Sequence, residues 1–440
     1  MSVFIGYPSF MAYQMMKGKK GNNDGFPSIP GMIARYSALG LTNEQMAANP
    51  VWADKTGNGY DLQMKNFAWK DGSGISDVYP GALVFDGVDD YGTCDNFPIL
   101  TKEKGYTVVA LRQWITRGKG ALGLVSNVKN WLKNGAFLLE YRNIQADHLN
   151  KPISFGAIGS ENDLPHILTY QTSKSYNGVS ITTGNFEGTD VLHVGKLAPT
   201  NVGTGINAAI WELVFLDHDA TEEELTKIKD YFVKTYPWLF PDQAWTVTGK
   251  TNEDEDRATI ANITGNGNDL VLSNFGFIEG SGYNEEGEYA GYLVTDGVDD
   301  IIQSKRFLLH RNWTMVGDWR FMPPGKNTNS GIVKSPAIRL YNQLNNIAIY
   351  INRTTNPKSI SGRSIKAVCS DGRIYLDDWS EFLDTELQTD LDNNAVITIA
   401  NYGAGFTKMI FKNLSFYDNH LLSKDDCIKA YNYLQSLKAK

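Results

Sequence analysis

Hydrophobic and polar positions alternate most plainly over residues 313–321. There Trp313, Met315, Gly317, Trp319 and Phe321 interleave with Thr314, Val316, Asp318 and Arg320. Successive side chains of a strand point to opposite faces, so this period of two predicts a half-buried strand with one apolar face. Shorter runs rich in β-branched and aromatic residues predict strands over 106–115, 137–141, 180–183, 191–195 and 210–216, and again over 337–341, 347–351, 396–400 and 409–416. Two stretches change to a helical period. Thr221 stands as N-cap with Glu224 three residues on, a capping box, and Leu225, Ile228, Phe232 and Tyr236 follow on one face until Pro237 stops the helix. Ser423 opens the second helix, whose apolar face is Cys427, Ala430, Leu434 and Leu437. Residues 237–241, Pro-Trp-Leu-Phe-Pro, read as a short rigid linker.

The pattern occurs twice. Phe85-Asp86-Gly87-Val88-Asp89-Asp90-Tyr91 returns as Thr295-Asp296-Gly297-Val298-Asp299-Asp300-Ile301, each copy after a short apolar run. Such a run followed by Asp-Gly and further aspartates predicts a strand leading into a tight turn. Upstream, Thr56-Gly57-Asn58-Gly59 with Asp61-Leu62 matches Thr264-Gly265-Asn266-Gly267 with Asp269-Leu270, an offset of 208 from residue 56 to 264. Downstream, Leu213, Phe215 and Asp217 lie against Leu414, Phe416 and Asp418 at an offset of 201. A period of this length is one whole domain rather than a solenoid repeat. The expected organisation is an N-terminal arm over 1–29, a first domain over 30–240 and a second over 241–440. The expected fold is all-β, with each domain an antiparallel sandwich closed by one C-terminal helix.

Of the 440 residues, 42% are hydrophobic and 20% charged, enough for a core in each half. A net charge of −8 argues against nucleic acid or an anionic membrane as partner. No apolar run approaches the ~20 residues of a membrane span. Cys94, Cys369 and Cys427 stand far apart without a CxxC and read as reduced thiols. The lysines near the N-terminus follow the apolar stretch instead of preceding it, which is the wrong order for a secretory signal. The arm has no counterpart in the second half. Phe4, Tyr7, Phe10, Met11 and Tyr13 give it an adaptable apolar surface ahead of a Gly- and Lys-rich tether, so it is either a strand packed on the first domain or a docking peptide.

The order TGNG-x-DL, DGVDDY, an aromatic-rich strand and the closing IWELVFLDHDATEEELTKIKDYF resembles the laminin-G-like, concanavalin-A-like jelly-roll domain. The second half resembles it through IANITGNGNDL, VTDGVDD and FKNLSFYDNHLLSKDDCIKAYNYL. The resemblance spans about 30–440 and implies two tandem jelly rolls. Tandem domains behind a short arm are also similar to structural proteins of tailed bacteriophages of gut Bacteroides-like hosts. That implies a virion appendage, assembled in the host cytoplasm as a homo-oligomer such as a trimer. Its partners would be other virion proteins of the capsid or tail, and host surface glycans. The alternatives are a bacterial carbohydrate-binding module protein and, third, a glycan hydrolase on the same fold.

Candidate chemistry is sparse. Laminarinase-like glycanases of this fold carry Glu-x-Asp-x-x-Glu on one strand, and neither half has it. Glu253-Asp254-Glu255-Asp256 lacks the spacing, and Glu381, Asp384 and Glu386 cannot share a strand face. Six scattered histidines show no nucleophile or metal-ligand pattern. The expectation is therefore a protein without catalytic activity. Asp86, Asp89 and Asp90, with Asp296, Asp299 and Asp300, gather the hard oxygens that calcium requires, so a structural calcium is the one cofactor admitted. The preferred reading is that the first aspartate of each set bonds its own turn amides. For saccharides, the candidate aromatic platforms are Trp52, Trp69, Trp131, Trp245 and Trp379, which lie outside the repeated strands, while Trp114 and Trp319 read as core.

Overall fold

The computed structural model describes residues 24–100, 105–116, 123–127, 138–140, 154–155, 166–171, 175–176, 189–196, 205–322, 330–334, 338–343, 346–351, 358–361, 364–385, 394–399, 401–402, 405–406 and 408–439. Expectations for residues 1–23, for the strand at 180–183 and for Trp131 lie outside the described residues. The protein is all-β, built of antiparallel sheets. Among the described residues the single parallel pairing joins Ser154–Phe155 to Leu138–Glu140. No helix among them is long and apolar enough to cross a membrane.

The chain divides into two compact units, one of residues up to Ser76 with Gly81–Lys234, the other of Asp77–Pro80 with Thr235–Lys440. In the first unit the strand Asn207–Leu216 pairs along one edge with Thr107–Thr116. Along its other edge it pairs with Leu83–Asp86 and then with Met32–Ser37. A second sheet runs through Val51–Trp52, Leu62–Lys65, Tyr91–Cys94, Leu192–Val194 and Gly123–Ser126. Trp52, Leu83, Phe85, Trp114 and Phe215 belong to its apolar core.

The second unit has the equivalent pairings. Met409–Asp418 lies between Trp313–Phe321 on one side and Tyr292–Val294 with Gln243–Thr246 on the other. Thr259–Ile260, Leu270–Ser273, Ile301–Leu308 and Asn394–Ile399 form a second sheet. Both closing strands carry a bulge at the same step, over Trp211 in one and Lys412 in the other. The second unit also contains a sheet of Ser330–Lys334, Ile338–Gln343, Asn346–Ile351 and Lys358–Ser361. Trp245, Trp313, Trp319 and Phe416 sit in its core.

Two expectations are corrected here. The Trp313–Phe321 strand is buried on both faces as far as Gly317, not half-buried. The reason is the helix Lys424–Ser436, which packs on the outer face while Thr314 Oγ1 donates to His420 O at 2.9 Å and accepts from Leu422 N at 3.0 Å. Residues 237–241 are no linker, since Trp238 is 1% exposed and its carbonyl accepts from the Tyr417 hydroxyl at 3.0 Å. The end of the arm is packed on the first unit. Phe26 is 6% exposed and sits edge-on to Tyr231 at 4.8 Å. A short helix, Asn43–Ala48, was not anticipated, although its Thr42/Gln45 capping box was readable.

Candidate functional site

The repeated aspartates close the turns from within. Asp86 Oδ1 accepts from Val88 N at 2.8 Å and Asp89 N at 3.4 Å, which its position just before Gly87 (φ 82°) permits. Fully buried Asp90 accepts through Oδ2 from Asp86 N at 3.0 Å and from Ser73 Oγ at 2.8 Å. Ser73 Oγ in turn accepts from Ala68 N at 2.8 Å, and Asn66, held at φ 69°, donates to Asp89 O at 3.0 Å. In the second unit, Asp296 Oδ1 accepts from Val298 N at 2.7 Å, Asp300 Oδ2 from Asp296 N at 2.7 Å, and Asn274 donates to Asp299 O at 3.0 Å. Burial pushes the Asp90 carboxyl up to about 7 and the Asp300 carboxyl up to about 6, against the pull of their serine and amide donors.

The three carboxylates of each set lie within 4.8 Å of one another. Asp90 Oδ1 has no hydrogen-bond partner, whereas Asp300 Oδ1 accepts from Ser281 Oγ at 3.2 Å. The two copies thus offer a cation different oxygens while sharing the turn hydrogen bonds. What recurs is the turn.

The TGNG loops are anchored by a residue the sequence reading passed over. Asp54 Oδ1 accepts from Arg35 N at 3.1 Å, Thr56 N at 2.9 Å and Thr56 Oγ1 at 2.8 Å. Asn262 Oδ1 takes the same place, accepting from Thr264 N at 3.0 Å and Thr264 Oγ1 at 2.7 Å. Asn58 Nδ2 ties the first loop to Ile33 O at 2.8 Å. The signal was present as a polar residue two positions before each threonine.

Of the tryptophan platforms, Trp52 and Trp245 are corrected: both are 0% exposed. Their indole N–H groups donate to Ser37 O at 2.9 Å and Asn268 O at 2.8 Å, so neither presents a ring to a ligand. Trp69 and Trp379 are half-buried, with φ of 51° and 59°. Trp69 stacks on Phe67 at 4.8 Å.

The first unit also has a cleft of ≈ 430 Å³, lined by Met32, Asn58, Tyr60, Ile99, Leu100 and Asp217 among others. The TGNG anchor sets Asn58 and Tyr60 on one wall. Tyr60 is backed edge-on by Phe97 at 5.6 Å, and Phe97 by Phe215 at 5.2 Å. Ile99, 58% exposed, also lines it. Asp217 Oδ1 lies 3.1 Å from His218 Nδ1, and His218 Nε2 lies 3.2 Å from Glu224 Oε2. Partial burial opposes the His218 charge, but these two carboxylates hold the imidazolium above the ordinary histidine range. Glu224 is also the capping-box residue, accepting from Thr221 N at 2.8 Å. The cleft combines a rigid ring, an apolar wall, an amide and an open carboxylate, a mixture able to orient a small polar ligand. Its lining comes from four separate segments, of which the repeats in the sequence marked two, the TGNG loop and Asp217, neither of them as part of a cleft.

No protein-family model matches the chain, and no curated protein sequence does. Among solved structures, Trypanosoma rangeli sialidase in complex with sialic acid is 10% identical, with 93% of this chain and 73% of that chain covered and a TM-score of 0.31. The same sialidase in complex with 2,3-difluoro-KDN is 13% identical over 48% of this chain and 33% of that chain, at a TM-score of 0.31. The chain thus spans about a third of the length of that sialidase structure. The binding domain of botulinum neurotoxin serotype D is 9% identical, with 89% and 98% covered, at a TM-score of 0.34. The expectation of a protein without catalytic activity is corrected by these matches: they include sialidases, so the chain is not classed as a non-enzyme. At such TM-scores the likenesses assign neither an activity nor a ligand to it.

Proposed function

We propose that the chain is a duplicated pair of jelly-roll sandwiches that recognises saccharide through the cleft of the first unit. The observation that carries this is the cleft itself. Tyr60 offers a ring held from behind by Phe97, and Asn58 and Asp217 place an amide and a carboxylate beside it. A sugar ring presents an apolar face and a rim of hydroxyls, and matches such a wall in both respects. The volume of ≈ 430 Å³ admits a unit of that size. Duplication is supported by the shared strand pairings and by the shared turn hydrogen bonds of Asp86 and Asp296.

In this proposal the protein is displayed on a viral particle as an oligomeric appendage. Its arm, through Phe4, Tyr7, Phe10, Met11 and Tyr13, docks on other virion proteins. The support for display is the sequence resemblance, and immunogold labelling of purified particles tests it. The recognition claim is tested by a glycan array probed with the full chain, Asp217→Ala and Ile99→Ser. Both side chains are exposed, so the fold, checked by circular dichroism, should persist. A saccharide signal weakened about tenfold or more in both variants is expected, the size of losing one good contact. No signal, or a signal that both variants keep, would overturn the cleft as the site.

A further inference from the structure

On the outer face of the second unit, beside the helix Lys424–Ser436, aromatic rings and cations form one connected patch. Tyr292 donates its hydroxyl to Asp318 Oδ2 at 2.9 Å, and Asp318 also bonds the Tyr431 hydroxyl. The Arg320 guanidinium and the Lys412 ammonium stand over the Tyr292 ring at 5.9 and 5.7 Å. The Lys366 ammonium lies 4.5 Å from the Tyr431 ring centre and 5.1 Å from that of Trp379. Trp379 meets Tyr431 edge-on at 5.6 Å. Arg320 is exposed and the other six are half-buried. Among the described residues the Lys366 and Lys412 ammonium groups meet rings and no carboxylate.

The sandwich does not require this patch. Leu293 faces Phe411 as Leu83 faces Ile210 in the first unit, so Tyr292 stands where the first unit has Ala82. By the same register, Asp318 stands for Leu111 and Lys412 for the bulged Trp211. Ala82, Leu111 and Trp211 are all 0% exposed. The second unit has put polar and aromatic groups where the first has buried apolar ones. Trp379 adds a bulky residue in the left-handed region at φ 59°, a conformation that persists only where its surroundings enforce it.

We propose that this patch binds an acidic saccharide, one bearing carboxylate or sulfate groups. Arg320, Lys366 and Lys412 bring three cations to this patch, and its Asp318 carboxylate is already held by the Tyr292 and Tyr431 hydroxyls. Anionic substituents would meet Lys366, Lys412 and Arg320. Sugar ring faces would lie on Trp379 and Tyr431, and Asp318 would accept from hydroxyls, as no carboxylate of an acidic peptide could donate. The patch and the cleft share no residue, so this inference does not rest on the cleft.

The test is calorimetric titration of the full chain with three probes: a chondroitin sulfate hexasaccharide, a neutral cello-oligosaccharide and poly-glutamate. The variants are Lys366→Ala/Lys412→Ala and Trp379→Gly, where glycine takes the positive φ without strain, with Asp217→Ala as the cleft control. The sulfated, uronate-bearing probe should bind, weaken with added salt, and lose about tenfold or more in each patch variant but not in Asp217→Ala. Hyaluronan in place of chondroitin sulfate then separates carboxylate from sulfate recognition. Absent binding, binding that survives both patch variants, or equal binding of poly-glutamate would each overturn the proposal. Loss in Asp217→Ala alone would move the ligand to the cleft.

Discussion

Replacing Glu212 by Gln isolates a buried charge. Arg35 and Glu212 are both 0% exposed and meet fork to fork, with Nε to Oε2 at 3.0 Å and Nη2 to Oε1 at 3.1 Å. Arg35 Nη2 also donates to the Tyr231 hydroxyl at 2.9 Å and Nη1 to Asp24 Oδ2 at 2.6 Å, with the Phe26 ring centre 4.0 Å away. One cation thus joins the arm's end, the first strand, the closing strand and the helix Glu222–Thr235. Desolvation works against its charge, and the Glu212 carboxylate more than restores it, so the guanidinium titrates above the ordinary arginine range. Removing one partner of a buried pair typically costs about 3–5 kcal/mol, because the other charge is left uncompensated. Gln keeps one acceptor and Asp24 remains, so the low end, about 3 kcal/mol, applies. For a unit of this size that lowers the melting temperature by roughly 6–12 °C.

Arg35→Met with Glu212→Leu removes both charges and retains contact with Phe26 and Tyr231. It should return to within about 1 kcal/mol of the parent. Scanning calorimetry with urea unfolding of all three proteins measures this. A Glu212→Gln cost below about 1 kcal/mol, or a double variant as unstable as the single, would refute the assigned role of the pair.

Asp90 supplies a pH test. Its folded-state value of about 7 lies above the ordinary 3.8, so the folded state holds the proton more tightly. Its contribution to stability is therefore complete below about pH 4 and is lost as pH rises through 7. Asp90→Asn should flatten that part of the profile in urea titrations between pH 4 and 8, and an unchanged slope would contradict the burial argument. Thr221→Ala removes the hydroxyl that accepts from Glu224 N at 3.3 Å and should cost about 1 kcal/mol in chemical unfolding. An unmoved midpoint would place the helix start elsewhere. Because the Asp86 and Asp296 carboxylates already hold their own turn amides, chelation with EDTA should leave the melting temperature within about 1 °C, and a larger drop would make the turns calcium sites.

What was legible in the sequence was local. The DGVDD turns, the Thr221 capping box and the alternation at 313–321 depend on neighbours a few residues away, and so leave their mark in spacing. The Arg35–Glu212 pair does not, since its partners lie 177 residues apart and neither sits in a motif. Tryptophan fates were equally hidden, because Trp52 and Trp379 look alike in sequence. Only the sheet registers decide that one is 0% exposed while the other stays half-buried over Lys366. The second face of Trp313–Phe321 was misread because its polar positions looked solvent-facing. Thr314 instead anchors Leu422 at the entry to the last helix. The cleft and the outer-face patch escaped for the same reason, each being assembled from segments that meet only after folding.

The most direct measurement is a crystal structure of the full chain with the strongest neutral saccharide from the array. The proposal places a sugar ring against Tyr60 with a hydroxyl on the Asp217 carboxylate. Ligand density elsewhere, with the first unit's cleft filled only by solvent, would contradict it.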